Sequence, residues 1–88
     1  MKKWQEQFRN EVKEFVDYQK SWLSDYINYR VSFKDDDKFH LEIIEDYCSH
    51  IHVHGVYDDG FFYIKKFSSQ ATVDLTNEVL NFIRELEL

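Results

Sequence analysis

The hydrophobic period changes twice along this chain, from a helical repeat to a two-residue repeat and back, and this order constrains the fold more than any other feature. Between residues 2 and 24, apolar side chains recur every three or four positions, which predicts one long amphipathic helix. From residue 27 they alternate with polar side chains, as is typical of half-buried strands. After residue 70 the helical spacing returns and predicts a second helix, which we expect to continue to residue 88.

Four strands are predicted in the alternating region, at residues 27–34, 39–44, 50–55 and 61–67. Short polar segments separate them, so consecutive strands should pair as an antiparallel meander. Thr72 or Asp74 is expected to cap the second helix, because a short side-chain oxygen can accept from the free amides of a first helical turn. Gly55, inside a strand pattern, indicates a bulge or a close backbone approach.

The sequence therefore predicts a single α+β domain over residues 1–88: an N-terminal long helix, a four-stranded antiparallel meander and a C-terminal helix. Both helices need somewhere to bury their apolar stripes, so we expect both to pack on one sheet face. That face should carry the alternating apolar set Ile27, Tyr29, Val31, Phe33, Phe39, Leu41, Ile43, Ile51 and Val53.

Two strand registers follow from the turns. Pairing Asp46 with His50 would set Ile44 beside His52 and Glu42 beside His54. In the last hairpin, a three-residue loop at Asp58, Asp59 and Gly60 turns Phe61, Tyr63 and Phe67 inward, whereas a two-residue loop turns Phe62 and Ile64 inward. We expect the three-residue loop, which leaves Phe62 and Ile64 on the outer side of the sheet.

Three histidines at alternate positions are the strongest chemical signal. In a strand, His50, His52 and His54 share one face, and Ile51 and Val53 line the other. One hypothesis is a metal centre of His52 and His54 with Glu42 or His40, since imidazole is a common zinc ligand. His50 and His54 lie about 13 Å apart along a strand, too far to hold one ion together. The favoured interpretation is a solvent-facing surface, on which acidic neighbours would raise the pKa of the imidazoles.

Other catalytic patterns are weak, and we expect neither an enzyme nor a cofactor. Cys48 lies near His50, but no third group is specified to orient a nucleophile and its base, and a lone cysteine is more commonly a small buried hydrophobe. Glu42 and Asp46 could act as acid and base, yet so small a domain leaves little volume for a substrate cleft. One cysteine and no apolar N-terminal segment or membrane span favour the cytoplasm.

Acidity is concentrated in the middle of the chain. The net charge is −6, and residues 21–59 contain nine acidic and three basic side chains. This argues against direct nucleic-acid binding, which needs clustered lysine and arginine, and it allows a partner protein with a basic surface.

These observations predict a small acidic protein-binding inhibitor. Its most concrete form blocks a basic nucleic-acid-handling protein, in the manner of a bacterial immunity protein against a nuclease toxin or a phage protein of the anti-CRISPR kind. Two alternatives stay open: a metal-dependent enzyme or sensor on the histidine strand, and a self-associating module such as a homodimer. The predicted partner-binding residues are Asp35, Asp36, Asp37, Glu42, Ile44, Asp46, His50, His52, His54, Val56, Asp58, Asp59, Phe62 and Ile64.

Overall fold

The computed structural model describes residues 1–23 and 25–88, and it confirms the predicted order of elements. Helix α1 spans Lys3–Trp22, and helix α2 spans Val73–Glu85. Between them lie strands β1 to β4, at Ile27–Phe33, Lys38–Glu45, Ser49–Asp58 and Phe61–Ser69. The strands form one antiparallel sheet in the order β1-β2-β3-β4, which is the predicted meander. The predicted end of the first helix at Ser24 lies outside the described residues.

The hydrophobic core lies between the two helices and one face of the sheet. The predicted inward set is confirmed, since its members are either buried or packed against the buried cluster. The helices contribute buried residues at four-residue spacing, which are Trp4, Phe8, Val12 and Val16 from α1, and Leu75, Val79 and Ile83 from α2. Both helices therefore cover the same face of the sheet, and the described residues place no second layer on the other face.

An aromatic cluster fixes the start of α1 against one end of the sheet. The Trp4 ring stacks on Tyr57, with ring centroids 4.5 Å apart, and meets Phe33 edge-on at 5.3 Å. Its indole Nε1–H donates to the backbone carbonyl of Asp36 at 3.0 Å. Because a buried indole N–H needs an acceptor, this bond ties the helix to the β1–β2 turn as well as to the core.

Thr72 caps α2, as predicted. Its Oγ1 accepts from the backbone N–H of Leu75 at 3.4 Å. The buried carboxylate of Glu45, at the end of β2, accepts from the Thr72 backbone N–H at 3.0 Å and from the Thr72 hydroxyl at 3.1 Å. A negative group beside the free amides of a helix N-terminus is favourable, so Glu45 connects the sheet to α2.

The expectation that the second helix continues to residue 88 is wrong. Leu86 has extended backbone angles, and the following residues return to the sheet. Glu87 forms a bridge with Phe61, and the backbone N–H of Leu88 donates to the Gly60 carbonyl at 2.9 Å. These contacts with the β3–β4 turn and the first residue of β4 satisfy backbone groups that a further helical turn would have engaged.

The predicted three-residue loop between β3 and β4 is also wrong. Asp58 pairs directly with Phe61, so the turn contains only Asp59 and Gly60. Both have positive φ, 49° and 94°, the combination that suits a type I′ hairpin turn and that an Asp-Gly pair favours. As a result Phe62 is buried and Ile64 packs on the core, while Phe61 and Tyr63 are half exposed on the other face.

Gly55 marks both a bulge and a close approach, as its place in the sequence indicated. The pairing of β3 with β4 shifts by one residue between His54 and Gly55, which brings Phe67 back to the inner face opposite Val53. A Cβ at Gly55 would meet the Tyr63 carbonyl oxygen and, at 2.5 Å, the ring of Phe39. Only glycine lets that ring lie against the backbone of β3.

The predicted register of β2 with β3 is shifted by two residues. Glu45 pairs with Ser49 around a three-residue turn, in which Asp46 and Tyr47 have positive φ. Consequently Glu42 lies opposite His52, and Ile44 lies opposite His50. The two-residue shift keeps every side chain on its predicted face but changes its neighbours.

Within the described residues, neither helix is long and apolar enough to span a bilayer.

Candidate functional site

The sheet face opposite the helices, called the outer face below, carries all four histidines of the chain. Strand alternation places His40, Glu42 and Ile44 of β2 on this face, and likewise His50, His52 and His54 of β3. Antiparallel pairing sets His40 opposite His54 and Glu42 opposite His52. Four imidazoles and one carboxylate therefore form a contiguous group, called the histidine cluster below.

Glu42 lies at the centre of one half of the histidine cluster. The Nδ1–H of His50 donates to Glu42 Oε2 at 2.7 Å, and His52 Nε2 is 3.5 Å from the same oxygen. Arg30 Nη1 is 3.8 Å from Oε1. These neighbours leave the Glu42 side chain only 12% exposed, although it belongs to an uncovered sheet face.

The pKa of the Glu42 carboxyl is lowered from its ordinary value. Burial alone raises this pKa, because it disfavours the charged form. The hydrogen bond from His50 and the positive charges of His52, His50 and Arg30 together outweigh that effect. Glu42 is therefore a carboxylate at neutral pH and accepts from its neighbours.

The other half of the histidine cluster is made of imidazoles alone. His40 Nε2 and His52 Nδ1 are 3.0 Å apart, so one of these nitrogens donates and the other accepts. The His40 ring also stacks on His54, with centroids 4.0 Å apart and planes 9° from parallel. Burial, followed by the nearby charges of His54 and His52, lowers the pKa of His40.

Two sets of side chains have ligand atoms close enough for one metal ion. The first contains His40, His52 and His54, and the second contains Glu42, His50 and His52; within each set all ligand atoms lie within 4.8 Å of one another. The sequence left Glu42 and His40 as alternative further ligands for His52 and His54. In the structure His40 lies within reach of an ion bound to both histidines, whereas Glu42 shares a set with His52 only. Among the described residues neither set holds His50 and His54 together, in agreement with their predicted separation.

The two acidic turns lie at one end of the sheet, because in the meander each of them follows an odd-numbered strand. The backbone N–H of Tyr57, next to Asp58, donates to the Asp37 carbonyl at 2.7 Å. This brings the β1–β2 turn beside the β3–β4 turn and forms an acidic end of five carboxylates, Asp35, Asp36, Asp37, Asp58 and Asp59. Lys38 and Lys2 offset part of this charge, at 3.3 Å from Asp35 and 3.8 Å from Asp36.

The apolar part of the predicted surface needs correction. Ile44 and Val56 are half-buried on the outer face, as expected. Phe62 and Ile64 are instead core residues, because the two-residue turn reverses their facing. Phe61 and Tyr63 take their places and are 47% and 49% exposed. Asp46 lies in the β2–β3 turn, at the end of the sheet away from the acidic end, and does not pair with His50.

Several outer-face residues were not predicted to belong to the surface, and they make it less acidic than the chain as a whole. Strand registers place Arg30, Lys38 and Lys66 on this face. The alternation of β1 and β2 contained a signal for the first two, but the facing of Lys66 depends on the β3–β4 turn and on the bulge together. His40 was named only as an optional metal ligand, because its neighbour depends on the β2–β3 register.

A groove of about 360 Å³ runs along the outer face beside the histidine cluster. His40 and His54 line it together with Lys38 and Val56. Lys34 and Lys65 also contribute, so most of its charged lining is basic. The groove is open and shallow, which suits a contact surface better than an enclosed substrate site.

Cys48 is exposed in the β2–β3 turn, so the expectation of a buried hydrophobe is wrong. Its sulfur lies 4.0 Å from the Ser49 hydroxyl oxygen.

Comparisons with protein-family models, with curated proteins and with solved structures find no significant match to this chain.

Proposed function

We propose that this protein binds another protein and acts by occupying its surface, without chemistry of its own. The observation that carries the proposal is the uncovered outer face, on which half-exposed Phe61 and Tyr63 lie with Val56 near the acidic end, among polar groups. Ile44 lies on the same face near the β2–β3 turn. Apolar and aromatic side chains surrounded by polar ones are typical of protein interfaces. In this proposal the protein acts in the cytoplasm.

The acidic end supports a partner with a basic surface. Its carboxylates are grouped beside the outer face, so a partner could meet both surfaces at once. Carboxylates that engage lysine and arginine of the partner speed association, while buried aromatic contacts slow dissociation. We therefore propose inhibition of a nucleic-acid-handling protein such as a nuclease, whose phosphate-binding cations the acidic end would occupy.

The outer face is too basic to attract a basic partner by itself. Arg30, Lys38 and Lys66 lie there beside the histidines, so a basic partner cannot be attracted by this face as a whole. Steering toward a basic surface is assigned to the acidic end, and the outer face supplies the apolar contact. This division makes the two contributions separable by substitution.

The test captures partners on the immobilised protein from an extract of its native host, at low salt. The double variant D36K/D58K should lose the partner, and its association rate with the purified partner should fall at least about tenfold. E6K/E14K, on exposed positions of α1, changes the net charge equally and should bind as the unmodified protein does. The purified partner should be a basic protein whose action on nucleic acid stops when this protein is added.

Two results would count against the proposal. Equal weakening by D36K/D58K and E6K/E14K would show that net charge, and not the acidic end, governs association. Retention of no protein at low salt would remove the protein-binding role itself, because such contacts are strongest there.

A further inference from the structure

We propose that His40, His52 and His54 form a zinc-binding site on the outer face. One ligand comes from β2 and two come from β3, which is a combination that the β2–β3 register creates. His40 and His54 are directly opposite each other, and His52 is two residues from His54 on the same strand. This site goes beyond the proposed protein-binding role and does not depend on it.

The spacing of the ring nitrogens suits zinc. His40 Nε2 and His52 Nδ1 are 3.0 Å apart, and one ring nitrogen of His54 lies within 4.8 Å of both. Zinc binds imidazole nitrogen at about 2.0–2.1 Å, and tetrahedral geometry separates two such nitrogens by about 3.3 Å. Small ring rotations would therefore let an ion take the place of the proton that His40 and His52 share.

Glu42 strengthens this assignment by its place on the other side of His52. Zinc-bound histidine commonly donates its second ring N–H to a carboxylate, which fixes the tautomer and the ring orientation. When His52 binds through Nδ1, its Nε2–H faces Glu42 Oε2, which is 3.5 Å away. Glu42 is held in turn by His50, so it is already oriented to receive this hydrogen.

The alternative set of Glu42, His50 and His52 fits less well. Its carboxylate already accepts from His50 at 2.7 Å and lies 3.8 Å from the Arg30 guanidinium. An ion there would have to displace the proton of His50 and approach a fixed positive charge. In the set of three histidines the ion replaces only the proton that His40 and His52 share, which bonds no carboxylate, and imidazole ligands favour zinc and its neighbours in the transition series.

The remaining coordination position can be filled from solvent. His40 and His54 line the groove of about 360 Å³, which has room for a water molecule beside the ion. Three protein ligands and one water complete the four-coordinate geometry that zinc prefers.

The experiment titrates Zn²⁺ into protein that lacks an affinity tag and has been treated with a chelator, and it uses calorimetry. We expect one ion per chain. H40Q and H54Q should each weaken binding at least about 100-fold, and E42Q should weaken it about 10- to 100-fold. H50Q removes a histidine from the same face that lies outside the proposed ligand set and only orients Glu42, so it should weaken binding less than E42Q does.

Long-range ¹H–¹⁵N spectra of the histidine rings test the assignment without any substitution, so the proposal does not depend on the folding of the variants. On addition of Zn²⁺, the signals of His52 Nδ1 and His40 Nε2 should shift, and both His50 nitrogens should keep theirs. Absence of stoichiometric binding by the unmodified protein would overturn the proposal. It would also be overturned if H50Q abolished binding while H40Q retained it, which would assign the ion to the Glu42 set.

Discussion

At the scale of single residues, Glu42 shows how a carboxylate can be nearly enclosed on a sheet face that no helix covers. It is surrounded by the imidazoles of His52, which lies opposite it on β3, and His50, and by the guanidinium of Arg30. Charge-assisted bonds of this kind are stronger than neutral ones, and they hold both partners in one orientation. The histidine cluster is therefore ordered by electrostatics in a place where packing contributes little.

The pKa of His40 predicts how stability depends on pH in chelator-treated protein. In the unfolded chain this imidazole titrates near 6.5, and in the folded protein its pKa is lower, so the unfolded state binds more protons between the two values. The folded protein therefore has its full stability above pH 6.5. Its free energy of unfolding decreases as the pH falls from 6.5 toward the lower pKa of His40 in the folded state. The lowered pKa of Glu42 acts in the same direction at more acidic pH.

Urea unfolding at pH 7.5 and at pH 5.5 measures this effect. The unmodified protein should lose more stability between the two pH values than H40Q, because the variant has no imidazole to protonate at this position. Parallel losses in both proteins would show that His40 is not responsible.

Thr72 is predicted to stabilise the fold through two hydrogen bonds at once. T72A removes the cap of α2 and leaves the buried Glu45 carboxylate without the hydroxyl donor, so the free energy of unfolding should fall by about 1–3 kcal/mol. T72S keeps the hydroxyl and should lie within about 0.5 kcal/mol of the unmodified protein. Chemical denaturation of the three proteins provides the comparison, and equal stability of T72A and T72S would contradict this role.

At the scale of elements, the β3–β4 hairpin has the largest effect on which side chains reach the surface. Lengthening or shortening the loop by one residue turns every side chain of β4 near the turn to the opposite face. The type I′ turn therefore determines whether Phe61 or Phe62 enters the core. F62A should lower the free energy of unfolding by about 3–5 kcal/mol, and F61A should lower it by about 1 kcal/mol or less. Denaturant unfolding curves distinguish the two. The opposite order would favour a three-residue loop.

The elements themselves were predictable because their signals are local. Helical and alternating repeats place α1, β1 and β2 within a few residues of their observed bounds, and the two candidate caps, Thr72 and Asp74, place the start of α2 within two residues. The same alternation correctly separated the core face from the face of His50, His52 and His54.

The pairing between elements was less predictable, because register depends on turn geometry and on contacts distant in sequence. The Asp59-Gly60 pair did contain a signal for the two-residue turn. By contrast, the positive φ of Asp46 and Tyr47, in the turn that sets the β2–β3 register, had no such signal in the sequence. The β2–β3 register brings His40 to His52 and Glu42 to His50, so the composition of the histidine cluster could not be obtained from alternation alone.

At the scale of the whole molecule, two layers enclose one core and leave β1 and β4 as sheet edges. Exposed edges invite pairing with a second copy, and proteins commonly block them with charges, bulges or local hydrogen bonds. β4 has the Lys65-Lys66 pair at its bulge and the bridge to Glu87. On β1, the Asn28 side chain accepts from the Tyr29 backbone N–H at 2.8 Å.

We therefore expect the chelator-treated protein to be a monomer, in preference to the alternative of a self-associating module. Sedimentation velocity over a range of concentrations should give one constant molecular mass of 10.8 kDa. A mass that rises with concentration would support pairing of an edge or of the outer face. Repeating the measurement with Y63A would then show whether the outer face is the contact.

Gly55 also has a consequence for how sequences of this fold can diverge. The Phe39 ring and the Tyr63 carbonyl occupy the space that a Cβ at position 55 would need. Selection for folding alone should therefore keep glycine at position 55 and an aromatic residue at position 39. The histidine positions have no such requirement from the core. If the zinc site has been under selection, sequences that keep glycine at position 55 should either retain His40, His52 and His54 together or lose them together. Independent loss of single histidines would indicate that it has not.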